Sequence, residues 1–421
     1  VTFRFRRSAI ALAIAVSMVG ATRAQEPEAE LTVQAINTYV GKSIEKFNLE
    51  NPGRKVRFRL VSFQSILESL PVQLASGRGP DISMVADWGG LARYYLDLRP
   101  YVDNAYFERE FPRILSMLRE DGKGAAINGM SGALTLNGAY VNVTLFRQAG
   151  VEMPKAGATW DDWAKATREV AKRTKVPIAM EMDRSAHRFA SIAISYGAQL
   201  IDDDGNFVAD EGLKAAMRKF VEWHRDGTMP MDLWGAVGGA THRDNFQDFM
   251  NAKVVFYFGG SWQLERMNQQ VGDLFDWVVV DAPCGPSSCT LMPGGGAMVA
   301  FKHTKNPKLA AEVLSFLSRD DVMRESLSRG ANIPAATSLV KSGVEYNNVS
   351  ERVKEALAVY RRQVPDVPER AYRFQGWRFQ RAALNSITTR ISQVLNNELD
   401  VEKAAAFIKK DVDLAMLAVR Q

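Results

Sequence analysis

Histidine and cysteine are scarce in this sequence, four and two among 421 residues. Four scattered histidines leave little from which to build a metal centre. Gly-x-Ser-x-Gly, His-Glu-x-x-His, a Walker loop and Gly-x-Gly-x-x-Gly are all missing. No motif therefore announces a serine hydrolase, a zinc protease or a nucleotide-dependent enzyme. Beyond the first 24 residues no apolar run reaches the length of a membrane-spanning helix. Internal repeats and low-complexity linkers are absent too. Charge of one sign is also lacking. The net charge is +5, but four arginines lie in the first 24 residues, leaving 49 basic against 48 acidic groups. The composition thus gives no electrostatic case for nucleic acid. No cofactor and no catalytic residue are expected.

What is present starts with an export pattern. Arg4, Arg6 and Arg7 precede an apolar stretch from Ser8 to Ala21, and Thr22-Arg23-Ala24 offers small residues at a cleavage site. The apolar stretch is shorter than the roughly 20 residues of a membrane span. A signal peptide over residues 1–24, cleaved near Ala24, and a periplasmic protein are expected. Arg6-Arg7 also admits a twin-arginine reading, which the following residues fit loosely. Outside the cytoplasm, Cys284 and Cys289 in Pro-Cys-Gly-Pro-Ser-Ser-Cys should pair. The rival reading, metal binding, would have half a zinc site.

The chain beyond the signal is long enough for two domains. Leu31–Ile36 alternates as a strand, and Gly41–Glu50 is helical up to Asn51-Pro52-Gly53. Val56, Phe58 and Leu60 alternate again, Gln64–Ser76 is helical, and Asp81–Ala86 is a third strand. This β-α-β-α-β order predicts a parallel sheet with right-handed crossovers. Ligands of such sheets lie beyond the carboxyl ends of the strands. Here those ends carry Asn37, Tyr39, Gln64, Asp87 and Trp88. Trp88 can be read equally as a cap on the core. Further helices are expected at Trp160–Thr174 and Leu213–Asp226, and strands at Lys253–Phe258, Trp277–Val280 and Ala297–Phe301. From Asn306 onward the chain reads as mainly helical.

Four stretches, in order, resemble the extracellular solute-binding proteins of the family 1 type, the sugar-binding components of ABC importers. The first is Leu74-Ala-Ser-Gly-Arg-Gly-Pro-Asp-Ile82. The second is Ala139–Val151 with its Phe-Arg-Gln-Ala-Gly, followed by Pro154 and Thr159-Trp-Asp-Asp-Trp163. The third is Phe249-Met-Asn-Ala-Lys-Val-Val255 with Gly259-Gly-Ser-Trp262. The fourth is Gly294-Gly-Gly296, Lys302–Asn306, Ala310–Leu317 and Ile333-Pro-Ala335. The chain departs from the family at Val141-Asn142, where Tyr-Asn is common. It departs again at Ile127–Gly132, which lacks the usual Tyr-Gly-Leu-Pro.

The resemblance implies two α/β lobes of the periplasmic-binding-protein fold, with a ligand cleft between them and crossing hinge strands. Crossings are expected near 133–142, 290–297 and 335–345. The first lobe would hold residues 25–135 and 295–340, the second 136–294 and 341–421. It also implies a monomer, a small carbohydrate ligand and an inner-membrane permease as partner. Sugars need stacking aromatics and polar partners for desolvated hydroxyls. By position, Trp262 and Ser261 in the Gly-Gly-Ser-Trp turn, Trp377 or Phe374, Asn137 and Gly295 are candidates. So are Arg184 and His187 in the polar loop after residue 181, and Arg373. Trp262 can alternatively be core, His187 a helix cap, and the glycines hinge elements. Arg184, Arg188, Arg373 and Arg378 would suit an anionic sugar. A secreted carbohydrate-active enzyme, or a carrier of polyamine or iron, are the alternatives to a sugar carrier. A role in presenting ligand to a chemoreceptor would use the same closed form.

Overall fold

The computed structural model describes residues 30–119, 122–235, 243 and 245–420. The export signal at 1–24, and the first-lobe boundary at residue 25, lie outside the described residues. The expected opening is present as β1 (Leu31–Ala35), a helix Thr38–Glu50, β2 (Val56–Leu60), helical turns Ser65–Ser69 and Leu70–Ala75, and β3 (Ile82–Val85). β1 lies between β2 and β3, parallel to both. The helix Thr38–Glu50 starts three residues earlier than its apolar spacing indicates, and buries Ile44 and Phe47.

The remaining strands are β4 (Gly129–Met130), β5 (Ala133–Asn142), β6 (Ile178–Met182), β7 (Leu200–Ile201) and β8 (Phe207–Val208). They continue as β9 (Val254–Gly260), β10 (Trp277–Val280), β11 (Pro293–Gly294), β12 (Ala297–Ala300) and β13 (Ile333–Pro334). One sheet runs β2-β1-β3-β12-β4 and the other β10-β5-β9-β6. These are the cores of two lobes. β5 links them. Its first half pairs with β13 and β11, and its second half with β9 and β10. The chain therefore crosses at β5, at 293–297 and at 333–335, the last just ahead of the expected stretch.

In the second lobe aromatic rings pack on a fully buried β9. The helix Trp160–Thr174 presents Trp160 and Trp163, whose rings lie 5.2 Å from Phe258 and Phe256. Thr159 starts that helix with a reciprocal capping box to Asp162, a device worth ~1 kcal/mol. Cys284 and Cys289 are bonded. The Cys284 backbone pairs with Ala158 and Trp160. The disulfide thus shapes a tight turn that braces the start of the helix. The chain from 307 on is mainly helical and ends in the paired helices Gln380–Leu395 and Val401–Arg420. No helix among the described residues is long and apolar enough to cross a membrane.

A seam joins the lobes on one side. The helix Glu369–Gly376 is tied to the 202–205 turn by Arg373, which donates to Asp203 Oδ1 and to Asp202 O, and by Trp377 Nε1, which donates to Gly205 O. On its other side Arg113 Nη1 donates to Tyr372 Oη at 3.0 Å. Gly376 lies so close to the helix Pro112–Leu118 that a Cβ there would sit 2.7 Å from Met117 Cα.

Candidate functional site

A cavity of about 420 Å3 lies between the two sheets, at the carboxyl ends of β1 and β3. Asn37, Tyr39 and Asp87 reach it from the first lobe, His187 and Trp262 from the second, and Gly295 from a crossing strand. These are six of the candidates read from the sequence. Parallel strands in that sheet point their carboxyl ends at one edge, so Asn37 and Asp87 arrive there by topology.

Each polar group has a defined state. Tyr39 Oη accepts from Asn37 Nδ2 at 2.5 Å and from Asn332 Nδ2 at 3.2 Å. Both acceptor positions are filled, which leaves the phenolic proton to be donated into the cavity. Burial holds the phenol up at about 12, so it remains protonated. Asp87 accepts from the Gly90 amide at 3.2 Å. Burial lifts its carboxyl to about 6, opposed by that amide and by the charge of Arg381. Arg381 lines the cavity, and burial lowers its pKa against the pull of Asp87 and Glu68. His187 Nε2 lies 3.1 Å from Pro293 O and 3.0 Å from Gln375 Oε1. Both neighbours accept, which assigns the proton to Nε2 and leaves buried Nδ1 without a hydrogen-bond partner. Burial, then Arg188, push the imidazole down to about 4, so it is neutral.

Trp262 is half-buried, and the Arg188 guanidinium lies 4.2 Å from its ring centroid. Arg188 is itself held by Asp183, fully buried, at 3.0 and 3.3 Å. Asp183 also accepts from Tyr257 Oη and from the Asn245 amide. Ring and anchored cation both line the cavity, and the cation–π contact fixes them against each other.

Seven other candidates are placed elsewhere. Gln64 is exposed and donates to Glu68 at 3.0 Å. Trp88 is core, and its Nε1 donates to Gly295 O, tying the turn after β3 to the crossing strand. Asn137 is fully buried and donates to His187 O and Ser191 Oγ. Arg184 Nη1 donates to Leu233 O and Trp234 O, away from the cavity. Ser261 Oγ accepts from the Leu136 amide, pinning the turn to β5. Arg373 and Trp377 are the seam anchors described above, and Trp377 stacks with Phe207 and Phe374. Of the four arginines expected to suit an anionic sugar, Arg184 and Arg373 donate to acceptors within the protein, whereas Arg188 lines the cavity.

Residues missed from the sequence are Arg381, Gln375, Gln380, Asn332, Glu265 and a set of methionines. Gln375 and Gln380 are buried and bonded to each other. Their surroundings, Glu369 to Arg381, are already rich in charged residues, so no local signal singled them out. Among the described residues no three of His, Cys, Asp and Glu are grouped as a metal site requires.

Two sheet-centred lobes, three crossing segments and one cavity between them define a two-lobed solute-binding protein. The chain belongs to the bacterial extracellular solute-binding protein family, whose model matches residues 32–324. The arabinooligosaccharide-binding protein of Bacillus subtilis (strain 168) is 24% identical over 315 residues, 69% of each chain. The maltodextrin-binding protein MdxE of the same organism is 26% identical over 369 residues, 81% of each. The fold also matches the GacH receptor of Streptomyces glaucescens, solved unliganded and with acarbose. Its TM-score is 0.74 at 18% identity, covering 90% of this chain and 96% of that one. Maltose-bound MalE3 of T. maritima gives 0.73 at 16%, covering 91% and 99%.

Proposed function

We propose that this protein is the periplasmic substrate-binding component of an ABC importer. It binds a mono- or oligosaccharide by closure of its two lobes and delivers it to an inner-membrane permease without turnover. The observation that carries the reading is one cavity lined from both lobes. It has a free phenolic donor at Tyr39, a carboxylate at Asp87, a guanidinium at Arg381 and an indole at Trp262. Amide, carboxylate and aromatic groups in that mixture suit a sugar, whose hydroxyls need partners and whose C–H face needs a ring. The volume falls within the ~300–1,000 Å3 of small-molecule pockets. The names of the two Bacillus relatives agree with a saccharide. A polyamine would meet Arg188 and Arg381 in the same space, their charge balanced within the lining only by the carboxyls of Asp87 and Glu265.

The lobes are assigned as residues 25–135 with 295–340, and 136–294 with 341–421. The pairing of β11 and β13 with the first half of β5 supports those junctions. Closure follows from the site: contacts from both lobes exist only when they are together. If the ligand carries an acidic group, Arg381 is the residue to receive it, not Arg184 or Arg373. An acidic sugar that binds tighter than its neutral analogue, and loses that preference in Arg381→Ala, is the expected sign.

A thermal-shift screen of mono- and oligosaccharides tests the reading. A ligand should raise the melting temperature by mass action on the native state. Asp87, lifted to about 6, is also the kind of carboxyl a glycoside hydrolase uses as its acid. Release of sugar products at catalytic rates would therefore replace the carrier reading with the enzymatic one.

A further inference from the structure

One part of the cavity lining is rich in methionine. β12 runs between β3 and β4, and the register places Met298 directly opposite Met84 on one side and Met130 on the other. Three thioethers therefore stand in a row across the sheet. Met323 joins them from the helix Asp320–Gly330, over Gly132, and Val322, Leu327 and Leu317 extend the wall. All of these line the cavity. Ser131, Ser43 and Ser326 line the cavity beside them, and the first two donate their protons inside the protein. Ser131 Oγ donates between Ala133 O and Gly296 O, and Ser43 Oγ donates to Tyr39 O. A thioether is only a weak acceptor. A sugar hydroxyl pressed against this row would lose its water without gaining a partner.

We propose that the methionine row is a subsite for an apolar substituent on the saccharide: a deoxy or acyl group, or an aglycone. The ligand is then amphipathic. Its hydroxyl-bearing part meets Asn37, Tyr39, Asp87 and Arg381, and its apolar part meets Met84, Met298, Met130 and Met323. Methionine suits the role, because unbranched, polarisable side chains adapt to an irregular group. The proposal rests on the carbohydrate reading above and narrows it.

The test is calorimetry on the purified full chain with a panel of free mono- and disaccharides and their 4-nitrophenyl glycosides. At least one aryl glycoside should bind about tenfold or more tighter than its parent sugar, from burial of the aryl surface. Met298→Gln and Met130→Gln, similar in volume but polar, should each erase that advantage, and Met298→Leu should keep it. Parent sugars that bind as tightly as their glycosides would overturn the subsite and leave the carbohydrate reading standing. An advantage that survives both glutamine variants would overturn it too. Failure of every sugar and glycoside to bind would overturn both readings together.

Discussion

Gly89→Ala is the perturbation that asks most directly whether the lobes close. Gly89 follows Asp87 in the turn after β3, and Gly376 ends the seam helix Glu369–Gly376. A Cβ on Gly89 would lie 1.9 Å from Gly376 O and 2.9 Å from Arg378 N. Ordinary carbon contacts fall near ~3.5 Å, so the two backbones must part by roughly 1.5 Å. Both clashing atoms are main chain, and neither can rotate aside. Neither glycine lines the cavity, so no ligand contact is touched. Overpacking of this kind costs typically ~1–3 kcal/mol. If the seam between Gly89 and Gly376 tightens only on closure, the whole cost falls on the bound state. Affinity should then drop about 5- to 150-fold. The melting temperature of the ligand-free protein should hardly move. Calorimetry with a saccharide found in the screen reads the first quantity, and a thermal melt reads the second. Small-angle scattering at saturating ligand should show a larger radius of gyration than the parent protein. The reasoning is refuted if the ligand-free protein melts lower by the full amount while affinity per folded molecule is unchanged. The seam would then be a permanent part of the fold and the lobes one rigid body. Gly376→Ala, wedged against Met117, should behave in the same way.

Three further outcomes are expected. Trp262→Ala should weaken saccharide binding by ~1–3 kcal/mol with the fold largely kept, and unchanged affinity in calorimetry would return the ring to packing. Lowering the pH from 7 to 5 should weaken binding as Asp87 takes up its proton near 6. Because that pKa is raised on folding, the contribution of Asp87 to stability is fully present below about 4 and is lost as the pH rises through 6. Asp87→Asn should flatten both dependences, and an unaltered profile in the variant would assign them to another group. Reduction of Cys284–Cys289 removes a short-loop constraint worth ~2 kcal/mol; urea melts should shift modestly, and loss of saccharide binding on reduction would contradict a purely local role.

The local elements were written in the chain. Alternation in Leu31–Ala35 and Val56–Leu60, the 3–4 spacing after Trp160 and the Thr159 capping box each depend on neighbours a few residues away. So does the pairing of two cysteines around one turn. The β-α-β-α-β order also sent Asn37 and Asp87 to one edge, because parallel strands share a direction. Side-chain destinations were another matter. Asp87 and Trp88 are adjacent, yet one turns to the cavity and the other into the core, where its indole finds Gly295 O. Arg184, Arg373 and Trp377 look like recognition residues as a list of types. Leu233, Asp203 and Gly205 decide otherwise, by offering acceptors that only the folded chain brings within reach. Arg381 and the row Met84–Met298–Met130 show the converse. Nothing near them in sequence marks them, since they meet through an antiparallel register between strands more than 150 residues apart and through a helix docked across the cleft. Local patterns set the pieces because backbone preference and side-chain period act over a few residues. The site is set by long-range packing, which chooses, for each polar group, the partner that costs least to bury it with.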